Sequence, residues 1–285
     1  MSTAPIHFRR LFHVTMQKNL IRKGELAMDK ILFLGTGAAD WFIDQRKPGD
    51  FFRRNCAALV NDDLMIDCGE HIFDFAKCAD RENLYDNVTD IIITHNHSDH
   101  FNKDSVRALA DSHKIRLACD SATRKMVGEH PNIEFVSLTP LKAKRMGRYR
   151  IIPLPANHDV VITRTRRAYH YIIETPDHKK IFYGLDGAWI LRPSWAEMLQ
   201  HKYDVMVFDC TVGDSDDWRL YEHNTIPMLR TMTKEIKEKQ LLTENGLLVA
   251  SHLARTLHVS HDETVEILQK LDMLTAYDGM EITIG

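Results

Sequence analysis

The stretch Thr94-His95-Asn96-His97-Ser98-Asp99-His100 places four potential metal ligands within six residues, directly after the run Val88 to Ile93. Residues two apart on a strand face the same side, so a strand leading into this segment projects His95 and His97 together from its C-terminal end. Asp99 and His100 follow where the chain turns, within reach of a second point nearby. Imidazole and carboxylate are donors that suit zinc, iron or manganese. One short loop can therefore seed two metal positions.

Two cations need further ligands, and three isolated candidates stand beside strand ends or turns: His158 in Pro155-Ala156-Asn157-His158-Asp159, Asp186 in Gly184-Leu185-Asp186-Gly187, and His252 in Ala250-Ser251-His252. Alone, a histidine after a strand reads as a surface or satisfied core group, and Asp-Gly reads as a turn. Their occurrence together with the histidine loop is what gives them weight.

The surrounding chain is ordinary for a globular protein. Of its 285 residues 44% are apolar and 27% charged, which excludes disorder and fibrous repeats. The length suits one large layered domain. No apolar run approaches the ~20 residues needed to span a bilayer. With 37 basic and 40 acidic residues the net charge is -3, so no overall positive field gathers nucleic acid or anionic lipid. Five cysteines, odd in number and without C-x-x-C, predict buried reduced thiols in a cytoplasmic protein rather than a disulfide framework or zinc ribbon. Residues 1–28 carry Arg9, Arg10, Lys18, Arg22 and Lys23 against Glu25. They lack the apolar core of a secretory signal and are expected to be a basic extension ahead of a single domain over 29–285.

Short β-type runs alternate with amphipathic stretches from Lys30 onward. Strands are expected over 31–34, 57–60, 64–66, 91–94, 115–118, 133–136, 150–154, 169–174, 181–183, 205–208 and 247–250, and helices over 70–79, 103–111, 121–129, 193–201, 222–239 and 261–271. The class is α/β. Gly35-Thr36-Gly37 after the first strand does not make a dinucleotide-binding turn, because Asp40 stands where the third glycine of G-x-G-x-x-G belongs.

With these residues in view, the chain over about 29–285 resembles the metallo-β-lactamase superfamily. The T-H-x-H-x-D-H motif stands at Thr94 to His100, the later His, Asp and His at His158, Asp186 and His252, and Leu34-Gly35-Thr36-Gly37 and Met65-Ile66-Asp67-Cys68-Gly69 are typical of its amino-terminal half. The resemblance implies an αββα sandwich of two packed sheets flanked by helices, with metals at one sheet edge. It implies one metal held by His95, His97 and His158, a second by Asp99, His100 and His252, and Asp186 bridging them. Asp67, supported by Thr94, would orient a metal-binding histidine.

Residue differences narrow the branch. The superfamily's di-iron reductases normally carry a carboxylate at the position of His97, and its β-lactamases usually lack an Asp like Asp186. Asp209, then His223-Asn224-Thr225, then His252 is similar to the phosphodiesterase branch, which includes phosphoribosyl cyclic phosphate diesterases and tRNA 3′-processing endonucleases. An imidazole at His223 can bind a phosphoryl oxygen or protonate a departing alkoxide, and Asp209 can hold its tautomer. Arg164, Arg166 and Arg167 after His158, and Lys142, Lys144, Arg145, Arg148 and Arg150 before it, are expected to flank the site and bind phosphate. No obvious arm insertion appears, and Leu253 rather than an aromatic follows His252, so nucleic acid is not favoured. The Asp40 to Asn55 stretch lacks the cysteines common in the cyclic phosphate diesterases.

These features lead to the expectation of a dinuclear metal-dependent hydrolase of a small (cyclic) phosphodiester, in which a metal-bridging hydroxide attacks phosphorus. Asp99, His223 and Asp209 are the expected catalytic groups. Two divalent cations, zinc first and manganese or iron as alternatives, are the expected cofactors. The alternatives are hydrolysis of a carboxylic ester, thioester or lactam on the same centre, or processing of tRNA or another RNA as a nuclease. The expected partner is a small molecule and not a membrane, and a homodimer is compatible with the chain.

Overall fold

Ile31 and Phe33 point to one side of their strand, Leu32 and Leu34 to the other, and all four are buried. A strand with apolar side chains on both faces needs a layer above and a layer below. The computed structural model, which describes residues 28–47, 51–158 and 167–285, supplies both layers. In chain order the first half contains β1 (Asp29–Gly35), β2 (Ala57–Val60), β3 (Leu64–Ile66), α1 (Ile72–Cys78), β4 (Asp90–Ile92), α2 (Lys103–Ser112), β5 (Ile115–Cys119), α3 (Ser121–Val127) and β6 (Ile133–Ser137). The second half contains β7 (Lys144–Met146), β8 (Tyr149–Pro155), β9 (Tyr169–Glu174), β10 (Lys180–Gly184), α4 (Arg192–Met198), β11 (Tyr203–Asp209), α5 (Ile226–Glu238), β12 (Leu242–Ser251), α6 (His261–Gln269), β13 (Met273–Thr275) and β14 (Glu281–Ile284).

The strands form two seven-stranded sheets, ordered β14-β1-β2-β3-β4-β5-β6 and β13-β12-β11-β10-β9-β8-β7. Each begins as an antiparallel meander and continues in parallel, β3 to β6 in the first and β10 to β13 in the second. This repetition of topology is invisible as a sequence repeat, because burial on both faces constrains polarity and not identity. Ile31, Phe33, Val60 and Ile66 of the first sheet meet Tyr171, Ile173, Tyr183 and Val207 of the second in a central core. Leu32, Met65, Ile91 and Leu117 pack outward on α1 and α2 through Phe75, Val106 and Leu109. Met206, Phe208 and Leu248 pack outward on α5 and α6 through Leu229, Ile236 and Leu268. Two sheets face to face with helices outside make the expected αββα sandwich.

Three strands escape the sequence reading. β7 is two exposed charged residues and one buried Met146, while β13 and β14 are short outer strands. The helix expected from 222 begins at Ile226 instead, with the Thr225 hydroxyl capping the Met228 N–H and Pro227 in the first turn. Residues 222–225 form a loop. The Gly35-Thr36-Gly37 turn is a packing device: a Cβ on Gly35 would lie 1.9 Å from the Asn55 carbonyl oxygen. Four of the five thiols are buried as expected, whereas Cys78 is exposed, and none is in a disulfide. Among the described residues no helix is long and apolar enough to cross a membrane.

β14 closes the first sheet on β1, and Asp278, whose side chain is only 7% exposed, secures it. Its carboxylate accepts from Thr36 Oγ1 at 2.8 Å, the Arg54 N–H at 2.6 Å and Arg54 Nη1 at 3.3 Å. Removing one partner of a buried ionic network strands the other. Asp278→Ala is therefore expected to cost about 3 kcal/mol in urea unfolding. A loss below about 1 kcal/mol would show that the network does not hold the strand.

Candidate metal centre

Parallel strands deliver their C-terminal ends to one edge, where the chain must leave the ladder and its side chains can converge. Here Asp67 follows β3, the histidine loop follows β4, His158 follows β8, Asp186 follows β10, Asp209 ends β11 and His252 follows β12. β4 ends at Ile92, two residues short of the expected strand. His95 and His97 therefore stand in the loop rather than on a strand face, because the Thr94 N–H is taken by Asp67 Oδ1 at 2.7 Å instead of the ladder. Their rings still meet, with centroids 4.6 Å apart. Asp67, Asp186 and His252 adopt left-handed backbone (φ 60°, 52° and 58°), which turns the chain sharply as it leaves each strand.

The side chains form two groups sharing one residue. His95, His97, His158 and Asp186 make the first, and Asp99, His100, Asp186 and His252 the second, with ligand atoms in each within 4.8 Å of one another. The two oxygens of Asp186 are divided between them. Oδ1 lies 3.0 Å from His100 Nε2 and 2.9 Å from His252 Nε2, while Oδ2 lies 3.3 Å from His95 Nε2 and 3.5 Å from His158 Nε2. Asp99 Oδ2 is 3.1 Å from His252 Nε2. Donors placed about 2.0–2.1 Å from a common cation stand roughly 3.0–3.4 Å apart, which these separations match.

The outer hydrogen bonds decide which ring nitrogens face inward. His100 Nδ1 donates to Asp67 Oδ2 at 2.7 Å. The Thr94 hydroxyl donates to Asp67 and so accepts from His95 Nδ1 at 3.1 Å. The Thr211 hydroxyl donates to Asp209 Oδ2 at 2.8 Å and so accepts from His252 Nδ1 at 2.6 Å. The Glu222 carbonyl accepts from His158 Nδ1 at 3.3 Å. Each of these four rings thus turns Nε2 inward, and the Nε2 atoms of His100 and His252 face one another at 3.1 Å. His95 Nε2 and Asp186 Oδ1 are buried without any hydrogen-bond partner. Convergent inward ring nitrogens and orphaned buried acceptors fit divalent cations.

Electrostatics follow burial and charge. Burial pushes the imidazoles of His97 and His158 down to about 4 and about 3, so both are neutral at pH 7. Burial also pushes His100 and His252 down, but Asp186 with Asp67 and Asp99 around His100, and Asp186 with Asp209 around His252, together outweigh it and hold both well above their usual range, favouring a second ring proton that a bound cation would displace. Asp186 is held far below the usual carboxylate range, burial being outweighed by His100 and His252.

His223 stands beside both groups, its ring 5.0 Å from that of His158 and stacked 5.5 Å from that of His252. Its Nδ1 is 2.9 Å from Asp209 Oδ2, which raises the imidazole pKa against the effect of burial. Nε2 has no partner among the described residues. The Asn224 N–H also donates to Asp209, at 2.8 Å, fixing the loop that carries His223.

Of the phosphate-binding candidates, Arg164 and Arg166 lie outside the described residues, as does the segment 1–27. Arg167 is exposed, with its N–H on Asp120 Oδ2 at 3.2 Å at the start of α3, and none of its described contacts reaches the histidines. Lys144, Arg145, Arg148 and Arg150 do not flank the site: they stand at the opposite end of β8 from His158, about 20 Å away at ~3.3 Å per residue, and Arg148 pairs with Asp63 at 2.7 Å. Two supporting residues went unassigned in the sequence. Thr211 joins Asp209 to His252, and buried His170 donates from Nε2 to the Asp186 carbonyl at 3.4 Å. Thr211 lies two residues after Asp209, whereas His170 inside an apolar strand gives no signal.

A family model described as a beta-lactamase superfamily domain matches residues 63–277. No curated protein matches the chain. Among solved structures, the metallo-beta-lactamase fold protein YhfI from Bacillus subtilis is similar with a TM-score of 0.66 at 14% identity, covering 89% of this chain and 99% of its own. A diphosphatase from the PhnP family gives 0.68 at 17% identity, covering 90% and 98%. Zinc-bound PqqB from Methylobacterium extorquens gives 0.67 at 11% identity, covering 89% and 99%. At these identities the likeness is one of fold.

The depressed pKa values of His97 and His158, joined by that of buried His170 at about 4, set an acid limit on the metal-free chain. Unfolded, these imidazoles take protons below the ordinary value of 6.5 while the folded state resists until about 4. Their contribution is complete above 6.5 and is lost as pH falls towards 4. The urea midpoint of chelator-treated protein should therefore drop between pH 7 and pH 4.5. A midpoint that holds or rises would contradict the assignment of neutral buried imidazoles.

Proposed function

The chain belongs to the beta-lactamase superfamily and is a metal-dependent hydrolase, and from that premise we propose that it cleaves a small phosphodiester at a dinuclear centre. His95, His97 and His158 would hold one cation, Asp99, His100 and His252 the other, and Asp186 both. Zinc suits the imidazole-rich donor set, and a zinc-bound protein is among the structural relatives. Two bound cations supply Lewis acidity towards a phosphoryl oxygen and activate water near neutral pH.

The observation that carries the phosphoryl reading is His223, poised beside the metal-ligand groups with Asp209 on its Nδ1. Asp209 keeps the proton on Nδ1 and raises the affinity of Nε2 for a second one. The imidazolium so favoured can donate from Nε2 to a nonbridging phosphoryl oxygen or to a departing alkoxide. Asp209 is a positioning residue, acting through His223 and, with Thr211, through His252. Asp99 contributes as a ligand, its carboxylate facing His252. A diphosphatase among the structural relatives is consistent with phosphorus chemistry.

The test is hydrolysis of bis(p-nitrophenyl) phosphate by metal-replete protein, beside an aryl ester and a chromogenic lactam. Asp186→Ala should abolish turnover, and His223→Ala should lower kcat by about 100-fold with metal content unchanged. Turnover of the ester or lactam alone would move the function to carbonyl substrates. Separately, Asp67→Ala frees the ring of His100 and should weaken metal binding by about 10–100-fold in chelator competition. Unaltered affinity would deny Asp67 its orienting role.

A further inference from the structure

We infer that a cavity beside the metal centre is the subsite for a planar heteroaromatic group of the substrate. The inference rests on the phosphodiesterase reading and names the class of diester, one carrying a nucleobase-like ring rather than a bare sugar phosphate. The cavity holds about 440 Å³, within the range of small-molecule sites. Its lining includes the apolar Trp41, Phe42 and Ile43 and the polar Asn55, His71 and Ser98.

Its position ties it to the reacting centre. Ser98 stands between His97 and Asp99 in the chain. Trp41 Nε1 donates to the carbonyl of Leu253, the neighbour of His252, at 2.7 Å. The cavity thus opens between two loops that bring candidate ligands to the metals. The indole is held from three sides: by that hydrogen bond, by the edge of Phe52 at 5.6 Å, and by Gly37, where a Cβ would lie 2.5 Å from Trp41 Cδ1. A ring fixed before a ligand arrives loses little freedom when one stacks on it.

The polar part of the lining asks for a donor. Asn55 Oδ1 is buried and accepts no hydrogen bond, while the Asn55 N–H is engaged with His71 Nδ1 at 3.3 Å. A buried acceptor without a donor marks a place where something else supplies one. A heteroaromatic base offers a flat apolar face to Trp41 and Phe42 and an edge N–H to Asn55, whereas a sugar phosphate matches the second demand and not the first. Asp44 and Glu70 at the rim oppose a run of phosphates, which favours a small diester over a polynucleotide.

Titration calorimetry of the zinc-loaded full chain with adenosine 5′-monophosphate and ribose 5-phosphate tests this. The nucleotide should bind wild type roughly tenfold tighter than the sugar phosphate. Both Phe42→Ala and Asn55→Ala should bring the ratio close to one by weakening the nucleotide alone. Phe42 is 51% exposed, so its truncation leaves the core packed, and the melting temperature of each variant checks folding. Equal binding of the two probes by wild type, or a preference that survives in either folded variant, overturns the subsite. Turnover of bis(p-nitrophenyl) phosphate without the preference sinks the subsite alone, whereas the preference without any phosphodiester turnover sinks the phosphodiesterase reading and leaves the subsite standing.

Discussion

The carboxylate of Asp186 is the constraint around which the rest of the molecule is arranged. It is buried, and each of its oxygens faces a different pair of imidazoles. A buried anion is tolerable only where positive charge meets it. Meeting it from two sides requires four loops to arrive at one point. Gly187 gives His170 access beneath the same residue, since a Cβ there would stand 2.6 Å from the His170 Nε2. The sandwich provides this convergence, because the β3–β6 and β10–β13 runs, and β8, end at a common edge.

Convergence strains the backbone. Asp67, Asp186 and His252 each leave a strand in the left-handed region, at about 1–2 kcal/mol apiece for a residue with a side chain. Glycine would relieve the strain and remove the functional group. The strain is sustained by the apolar layers, which hold the strands feeding these turns, and by the outer hydrogen bonds from Thr94 and Thr211 that lock the side chains once turned. Positions that are unfavourable locally are stable because packing over-determines them.

What could be read from the chain depended on how local each feature is. The histidine loop was legible because its four ligand candidates lie within six residues, and the layered α/β class because strands buried on both faces write long apolar runs. His158, Asp186 and His252 carried little signal alone and gained it from the family resemblance. The outer strands β7, β13 and β14 hid because a short edge strand needs only one or two buried side chains. The basic residues before His158 misled because nearness in sequence along an extended strand is distance in space. His170 was illegible for the converse reason: a histidine among apolar residues looks like core until the group it supports is in place.

The ligand candidates run from His95 to His252, and the first sheet supplies His95, His97, Asp99 and His100 while the second supplies His158, Asp186 and His252. During synthesis the first group therefore has its full complement only once Asp186 has emerged, and the second only once His252 has, close to the end of the chain. Until then the histidine loop offers only an incomplete set of donors. Metal acquisition is accordingly a late event, coupled to the docking of one sheet on the other, and the cations would act as staples between two halves that are synthesised one after the other.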